Sequence, residues 1–258
     1  MRPSFIYHQP MKLALISDIH GNLVSLEAVL KAVEVDAPDQ IICLGDCAAD
    51  GPQPRECLQK LKSLKIPVIM GNTDSNLLTL EASKQSDDEV QQNFNDIEWW
   101  NKQQLTQEDL DFIHTFHPTL SVELSSDVEL LCSHGSPKSF YDFILAATPD
   151  EEVVPMFKET TASICAGGHT HSQMFRRLEH RLLINPGSVG LPFDRMPDGK
   201  AFNPLLAEYA ILEFGATNNL SVSLKRTPIA QEALETSIRD SDMPHQDWWL
   251  QDWIKVNV

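Results

Sequence analysis

At 258 residues the chain is about 1.7 times the roughly 150 residues of an average domain, so it holds one large domain or one domain with a sizeable insertion. Apolar residues at 42% and charged residues at 22% are globular proportions, and no apolar run approaches the roughly 18 residues of a membrane span. This excludes a disordered chain, a collagen-like repeat and a transmembrane helix. Twenty Lys and Arg against 37 Asp and Glu leave a formal charge of −17, a field that repels polyanions and argues against a groove for duplex nucleic acid.

In chain order, residues 1–10 carry one Arg and no apolar core of a signal peptide, and read as an N-terminal extension without function. The domain proper is expected over 11–258. Short apolar runs at 13–16, 41–44, 66–70, 128–132, 164–166 and 182–184 each end in a polar or glycine cluster and predict strands. Residues 22–35 and 54–65, between the first three runs, place apolar side chains at helical spacing. The repeat from Asp18 to Asp46 to Asn72 is 28 and then 26 residues, close to a βαβ unit, and predicts a parallel, right-handed α/β sheet in the first half of the chain.

From Asn72 to His134 the interval doubles to 62 residues. The stretch 75–117 has neither Gly nor Pro and predicts a mostly helical insertion, a cap beside the site, with a second helix opening at Thr106 and a box closed by Asp109. Residues 209–214 and 220–224 predict an antiparallel hairpin around Asn218 and Asn219, followed by a helix over 229–239. Trp248, Trp249 and Trp253 predict an apolar tail clamped on the core, with a homodimer interface as its other use. The five cysteines are odd in number and scattered, a pattern of reduced thiols that points to the cytoplasm.

Five clusters carry the chemistry, each following an apolar run: Asp18-Ile19-His20, Gly45-Asp46, Gly71-Asn72-Thr73-Asp74, Ser133-His134-Gly135 and Gly167-Gly168-His169-Thr170-His171. Each alone has an ordinary reading as a turn or a helix cap. Together they converge, because the carboxyl ends of strands in an open α/β sheet meet at one crevice. Seven candidate ligands then face one spot: Asp18, His20, Asp46, Asn72, His134, His169 and His171. Two buried carboxylates among them repel each other unless cations supply charge. Beside them, Asn22 and Asp74 are candidates for orienting substrate or supporting the histidines, with capping of the following helix as the alternative. Arg195 and Lys200 are charged groups that follow the last cluster.

This ordered set resembles the calcineurin-like metallophosphoesterase superfamily, and Asn185-Pro186-Gly187-Ser188 is similar to a motif of its small bacterial and archaeal phosphodiesterase-like members. The resemblance implies an α/β fold, a four-layer αββα sandwich. It implies that Asp18, His20, Asp46 and His171 hold one divalent ion and that Asp46, Asn72, His134 and His169 hold another, with Asp46 bridging. By the same resemblance Asp46, Asn72 and His134 are the catalytic residues, and a metal-bridged hydroxide attacks a small phosphodiester. Phosphomonoesterase, protein Ser/Thr phosphatase and dinucleoside-tetraphosphatase activities are the rivals within catalysis, and a non-catalytic scaffold is the rival outside it. A nitrogen and oxygen ligand set without thiolate suits Mn²⁺, with Fe, Co, Ni or Zn as alternatives. One position departs from the family pattern: Thr73 stands where many relatives have a His able to protonate the leaving group.

Overall fold

The computed structural model of the chain describes residues 4–6, 11–215 and 217–256. Its architecture is mixed α/β with two facing sheets. The first strands and helices are β1 (Ser4–Ile6), β2 (Met11–Ile16), α1 (Leu23–Asp36), β3 (Gln40–Cys43) and α2 (Pro54–Leu64). The interval that doubles in length holds α3 (Asn72–Thr79), α4 (Glu89–Gln104) and α5 (Gln107–Ile113). Then come β4 (Leu120–Ser125), β5 (Val128–Cys132), the short α6 (Asp150–Val153), β6 (Ile164–Ala166), β7 (Met174–Leu178), β8 (Arg181–Asn185), β9 (Asp194–Arg195) and β10 (Ala201–Pro204). The chain closes with β11 (Leu206–Phe214), β12 (Leu220–Pro228), α7 (Gln231–Arg239), α8 (Gln246–Leu250) and β13 (Trp253–Ile254).

Of the two facing sheets one has the order β12-β11-β2-β3 and the other β1-β4-β5-β6-β8-β7, and a third, small sheet has the order β13-β10-β9. Strand alternation decides what each face meets. In β2, Leu13 and Leu15 face the second sheet while Ala14 and Ile16 face helices. In β11 the same rule sends Ala210 and Leu212 between the sheets and Tyr209 and Ile211 to the helical side. Leu120, Val122, Leu130, Ile164 and Ile184 answer from the six-stranded sheet. A fully buried Leu or Ile here stabilises the fold by roughly 1.5–3 kcal/mol.

Helices α1, α2 and α7 cover the outer face of the four-stranded sheet through Leu26, Val29, Leu58, Leu61, Leu234 and Ile238. The insertion packs on the same side, burying Leu77, Ile97 and Ile113. The fourth layer is thin, formed by α6 and a 3-10 turn whose Val153 and Phe157 bury against β5, β6 and β8. Among the described residues no helix is long and apolar enough to cross a membrane.

The parallel pairing expected for the first half forms, with β2 parallel to β3 and Val68 bridging Cys43 in the same sense; β11 adds to β2 antiparallel, and the later clusters sit on the second sheet. Several expectations need correction. The run 66–70 makes only two isolated bridges, Cys43↔Val68 and Ile69↔His117. Pro67 lacks an N–H, and the segment crosses from β3 toward the second half of the chain instead of extending the ladder. Strands β4, β7, β9, β10 and β13 had no sequence prediction. Within the stretch read as an extension, Ser4–Ile6 adds a parallel edge strand to β4. In the tail, Trp249 is buried in the helical-side core and β13 pairs with β10.

Candidate metal centre

The five clusters leave the carboxyl ends of β2, β3, β5 and β6 and the amino end of α3, and meet at one end of the sandwich. Asp18, His20, Asp46 and His134 are buried, while His171 keeps 18% of its side chain exposed. Backbone conformation shows what the convergence demands. Asp18, His20, Asp46, Asp50, His169 and His171 all have positive φ, between 47° and 72°. They make up six of the eleven non-glycine residues at positive φ among the described residues, so strain is concentrated where side chains must be aimed. Close approach adds a second demand. A Cβ on Gly71 would stand 2.0 Å from Asp46 Oδ1, and one on Gly168 would stand 2.5 Å from Asp18 Oδ2.

Two triads result, Asp18-His20-His171 and Asp46-His134-His169, with ligand atoms in each within 4.8 Å of one another. The triads adjoin: His134 Nε2 lies 3.2 Å from Asp46 Oδ2 and 3.9 Å from Asp18 Oδ1, and His20 Nε2 lies 3.8 Å from Asp46 Oδ2. Asp46 therefore stands between them.

Three imidazoles are fixed from behind. Nδ1 of His134 donates to the Leu44 carbonyl at 2.8 Å, Nδ1 of His171 to the Leu191 carbonyl at 2.7 Å, and Nδ1 of His20 faces the Ala49 carbonyl and the Asp50 carboxylate, each at 3.2 Å. With Nδ1 carrying the proton, Nε2 of each ring turns a lone pair to the centre. Nε2 atoms of His20 and His171 then face one another across 2.9 Å. Asn72 joins this junction: its amide lies 3.0 Å from His134 Nε2 and, with its nitrogen turned inward, donates to Asp46 Oδ2, His134 Nε2 and His169 Nδ1. Lone pairs aimed at lone pairs, beside two buried carboxylates, are unfavourable unless a proton or a cation lies among them. The donor set thus fits divalent ions.

Titration follows the same logic. Burial pulls the His20 pKa down, but the Asp50 hydrogen bond and the Asp46 charge overcome it and raise it to about 9. Burial likewise opposes protonation of His134, and Asp46 and Asp18 raise it to about 10. Burial pushes the Asp46 carboxyl up, yet His134 and His20 hold it well below the usual carboxylate range. His169 is lowered by burial and by His134.

Asn22 and Asp74 do not border the opening. Asn22 Oδ1 accepts from Ser25 N at 3.1 Å to cap α1, and its amide donates to the Gly190 carbonyl at 3.0 Å. Asp74 accepts from the backbone N–H groups of Asp46 at 2.8 Å, Cys47 at 2.9 Å and Gly71 at 3.2 Å. Both are fully buried, with their oxygens committed to backbone: Asn22 caps α1, whereas Asp74 closes the first turn of α3 through Gly71 and holds the Asp46-Cys47 backbone. Lys200 is turned to Asp252, whereas Arg195 borders the cleft.

Sequence reasoning missed the clamp on the loop after Asp46. Asp50 N donates to Asn101 Oδ1 at 2.8 Å, the Asn101 amide donates to the Gly51 carbonyl at 2.7 Å, and Trp249 Nε1 donates to the Asp50 carbonyl at 2.8 Å. An acid four residues beyond Gly45-Asp46 was the only local signal. Its partners lie 51 and 199 residues away. Above the triads opens a cleft of about 730 Å³, bordered by Asp46, Asn72 and Thr73 at its base and by α4 and the tail at its side.

Comparison with known proteins agrees with this geometry. A model of the calcineurin-like phosphoesterase superfamily domain matches residues 11–207. An uncharacterized protein of Methanocaldococcus jannaschii is 27% identical over 199 residues, covering 70% of this chain and 77% of that protein. A symmetrical bis(5'-nucleosyl)-tetraphosphatase of Pectobacterium atrosepticum is 28% identical over 147 residues, 55% of this chain, and the match spans only half of that protein's length. The crystal structure of a metallophosphoesterase from Sphaerobacter thermophilus superposes with a TM-score of 0.69 at 25% identity, covering 94% of this chain and 97% of that one. A hypothetical protein of Pyrococcus horikoshii shares the fold with a TM-score of 0.74 at 18% identity, over 96% and 97% of the two chains. With its ordered clusters, facing sheets and paired triads, the chain belongs to the calcineurin-like phosphoesterase superfamily.

Proposed function

We propose that the protein hydrolyses a small phosphodiester with two divalent ions, Asp18, His20 and His171 holding one, His134, His169 and Asn72 the other, and Asp46 joining both. The carrying observation is the convergence of six nitrogen and oxygen ligand atoms in two adjoining triads, with Nε2 of His20 and His171 2.9 Å apart. When bound, such a pair of ions supplies a water acidified toward neutrality and a clamp on phosphoryl oxygens. The chain's own part is to orient. Leu44, Leu191 and Asp50 set the imidazole tautomers, the Thr73 backbone N–H holds Asp46 Oδ1 at 2.9 Å, and strained backbone at Asp18 and Asp46 aims the carboxylates. The local positive charge reverses the field of the acidic surface where an anionic ester must sit.

Manganese is the ion proposed to restore activity best, because every donor is nitrogen or oxygen. The five cysteines are free and buried, which supports a reducing, cytoplasmic setting. The match to a bis(5'-nucleosyl)-tetraphosphatase favours cleavage of a phosphoanhydride as the second reading. Side-by-side turnover of bis(4-nitrophenyl) phosphate and 4-nitrophenyl phosphate, with Mn²⁺ and with chelator, tests the proposal. Faster metal-dependent release from the diester is expected. Preference for the monoester overturns the diester assignment, and no turnover of either ester favours the scaffold.

A further inference from the structure

Four imidazoles belong to the two triads, and three of them are backed by an acceptor on Nδ1. His169 is the exception. Among the described residues no carbonyl or carboxylate stands behind its ring, and the atom it turns to the junction is Nδ1, 2.8 Å from the inward nitrogen of Asn72. The other three present Nε2. His169 is thus reversed relative to its neighbours, and the backing hydrogen bond that fixes their tautomer and rotation has no counterpart in it.

What stands at His169 instead is an aromatic. Phe143 meets it edge to face, with ring centroids 5.6 Å apart and planes at 82°, and His134 lies on it at 5.2 Å and 57°. Both separations fall in the range that ring pairs prefer. Phe143 is 52% exposed, so burial in a core does not account for its position. Its loop does. The loop leaves His134 at Gly135 and folds back so tightly that a Cβ on Gly135 would stand 2.7 Å from the carbonyl oxygens of Ser139 and Asp142. Ser136 donates its hydroxyl to the Asp142 carboxylate, and Tyr141 donates to Asn76 Oδ1 at 2.9 Å, on the helix that opens with Asn72. The Phe143 ring is therefore carried by a segment anchored to the two elements that deliver His134 and Asn72.

We propose that Phe143 is the positioning residue of His169, holding an imidazole that no backing hydrogen bond fixes so that its Nδ1 points at the ion shared with Asp46, Asn72 and His134. The inference rests on the two-ion reading and goes beyond it by giving the ions unequal support. Hydrogen bonds alone aim the histidines of the ion at Asp18, His20 and His171, whereas the other ion depends in part on a half-exposed ring contact. Such a contact restrains rotation less than a hydrogen bond to a fixed acceptor, so the ion at His169 is the weaker and the faster to exchange.

The test titrates Co²⁺ into the metal-free protein, read by visible absorption and calorimetry, with proton NMR of the imidazoles recorded before metal is added. Two binding steps are expected in the wild type. Phe143→Ala should weaken the second step by roughly tenfold or more, within what outer-shell changes cost a metal site, and leave the first within about twofold. In the same variant the His169 ring protons of the metal-free protein should lose the shift imposed by the neighbouring ring current. Phe143→Tyr, which keeps the ring, should retain both steps and the shift, whereas Phe143→Leu, which keeps only apolar bulk, should behave as the alanine variant does. An unchanged second step in Phe143→Ala, equal losses at both steps, or full recovery by leucine overturns the proposal. A single step that Phe143→Ala still weakens would instead count against the two-ion reading while leaving the positioning role standing. A single step untouched by that substitution overturns both.

Discussion

Trp249 donates its indole N–H to the backbone carbonyl of Asp50 across 2.8 Å, tying the C-terminal tail to the residue that backs His20. Asp50 Oδ2 lies 3.2 Å from His20 Nδ1, so a residue near the end of the chain sets the aim of an imidazole near its start. Trp249→Phe keeps the ring buried and removes the donor. The variant should fold and lose roughly tenfold in Mn²⁺ affinity, the lower end of what outer-shell changes cost a metal site. Competition with a chelating dye measures it, and an unchanged affinity would show that the tail only packs.

Asp46 belongs to one triad and lies 3.8 Å from His20 of the other, and its Oδ1 is held by the Thr73 N–H. Asp46→Asn preserves the shape and the hydrogen bond but deletes the charge. Turnover should drop below a tenth of wild type, more than about 1.4 kcal/mol in the barrier, with the circular dichroism spectrum retained. A variant that keeps more than a tenth of the rate would remove Asp46 from its joining position.

Thr73 borders the cleft with a buried hydroxyl that has no hydrogen-bond partner. A hydroxyl cannot serve as an acid near neutrality. Thr73→His should raise the rate on an alkyl leaving group several-fold more than on nitrophenolate, which needs no protonation. Equal effects on the two leaving groups, read from paired rate constants, would end the missing-acid argument.

Without metal, the His20 pKa of about 9 and the His134 pKa of about 10 both exceed the unfolded value of about 6.5. For a raised histidine the stabilisation is complete below the unfolded pKa and fades as pH climbs through the folded one. Chelator-treated protein should therefore lose thermal stability from about pH 6.5 toward 9 and beyond. Divalent ions compete with the same protons, so the Tm gain on adding Mn²⁺ should grow over that window and calorimetry should detect proton release. A Mn²⁺-induced gain that is flat with pH contradicts the inward-facing assignment of these rings.

Glu208 is a buried carboxyl beneath Gly187, raised by desolvation to about 7 despite Arg226 at 2.8 Å. An acid whose folded pKa lies above its unfolded value stabilises the fold in its protonated form, and that contribution disappears as pH rises from about 4.5 through 7. Glu208→Gln should flatten the decline in unfolding free energy between pH 5 and 8 by roughly 2 kcal/mol. Urea titrations at the two pH values provide the measurement, and parallel declines would refute the assignment.

Much of the candidate centre is legible in the chain itself because its ligands are local signals. Asp18-Ile19-His20 and His169-Thr170-His171 each lie within three residues, and each follows an apolar run whose strand end delivers it. The runs 13–16 and 209–214 are legible as strands in the same way, while the structure decides which of their side chains go between the sheets and which go under helices. The Thr106 box and the hairpin at Asn218 are local in the same sense.

What the tertiary structure alone decided is everything carried by contacts distant along the chain. The second sheet depends on the parallel pairings of β5 with β6 and of β6 with β8, such as Leu130 with Ile164 and Ile164 with Leu182, which no neighbouring residue dictates. Asn22 and Asp74 sat beside the right motifs, yet backbone N–H and carbonyl groups folded in from elsewhere claimed them first. Asp50, Asn101 and Trp249 looked ordinary until packing brought them to one loop. Short-range periodicity fixes which face is apolar. The partner of a buried polar group is fixed only when distant segments close around it, since each such group must find a hydrogen bond once water is gone.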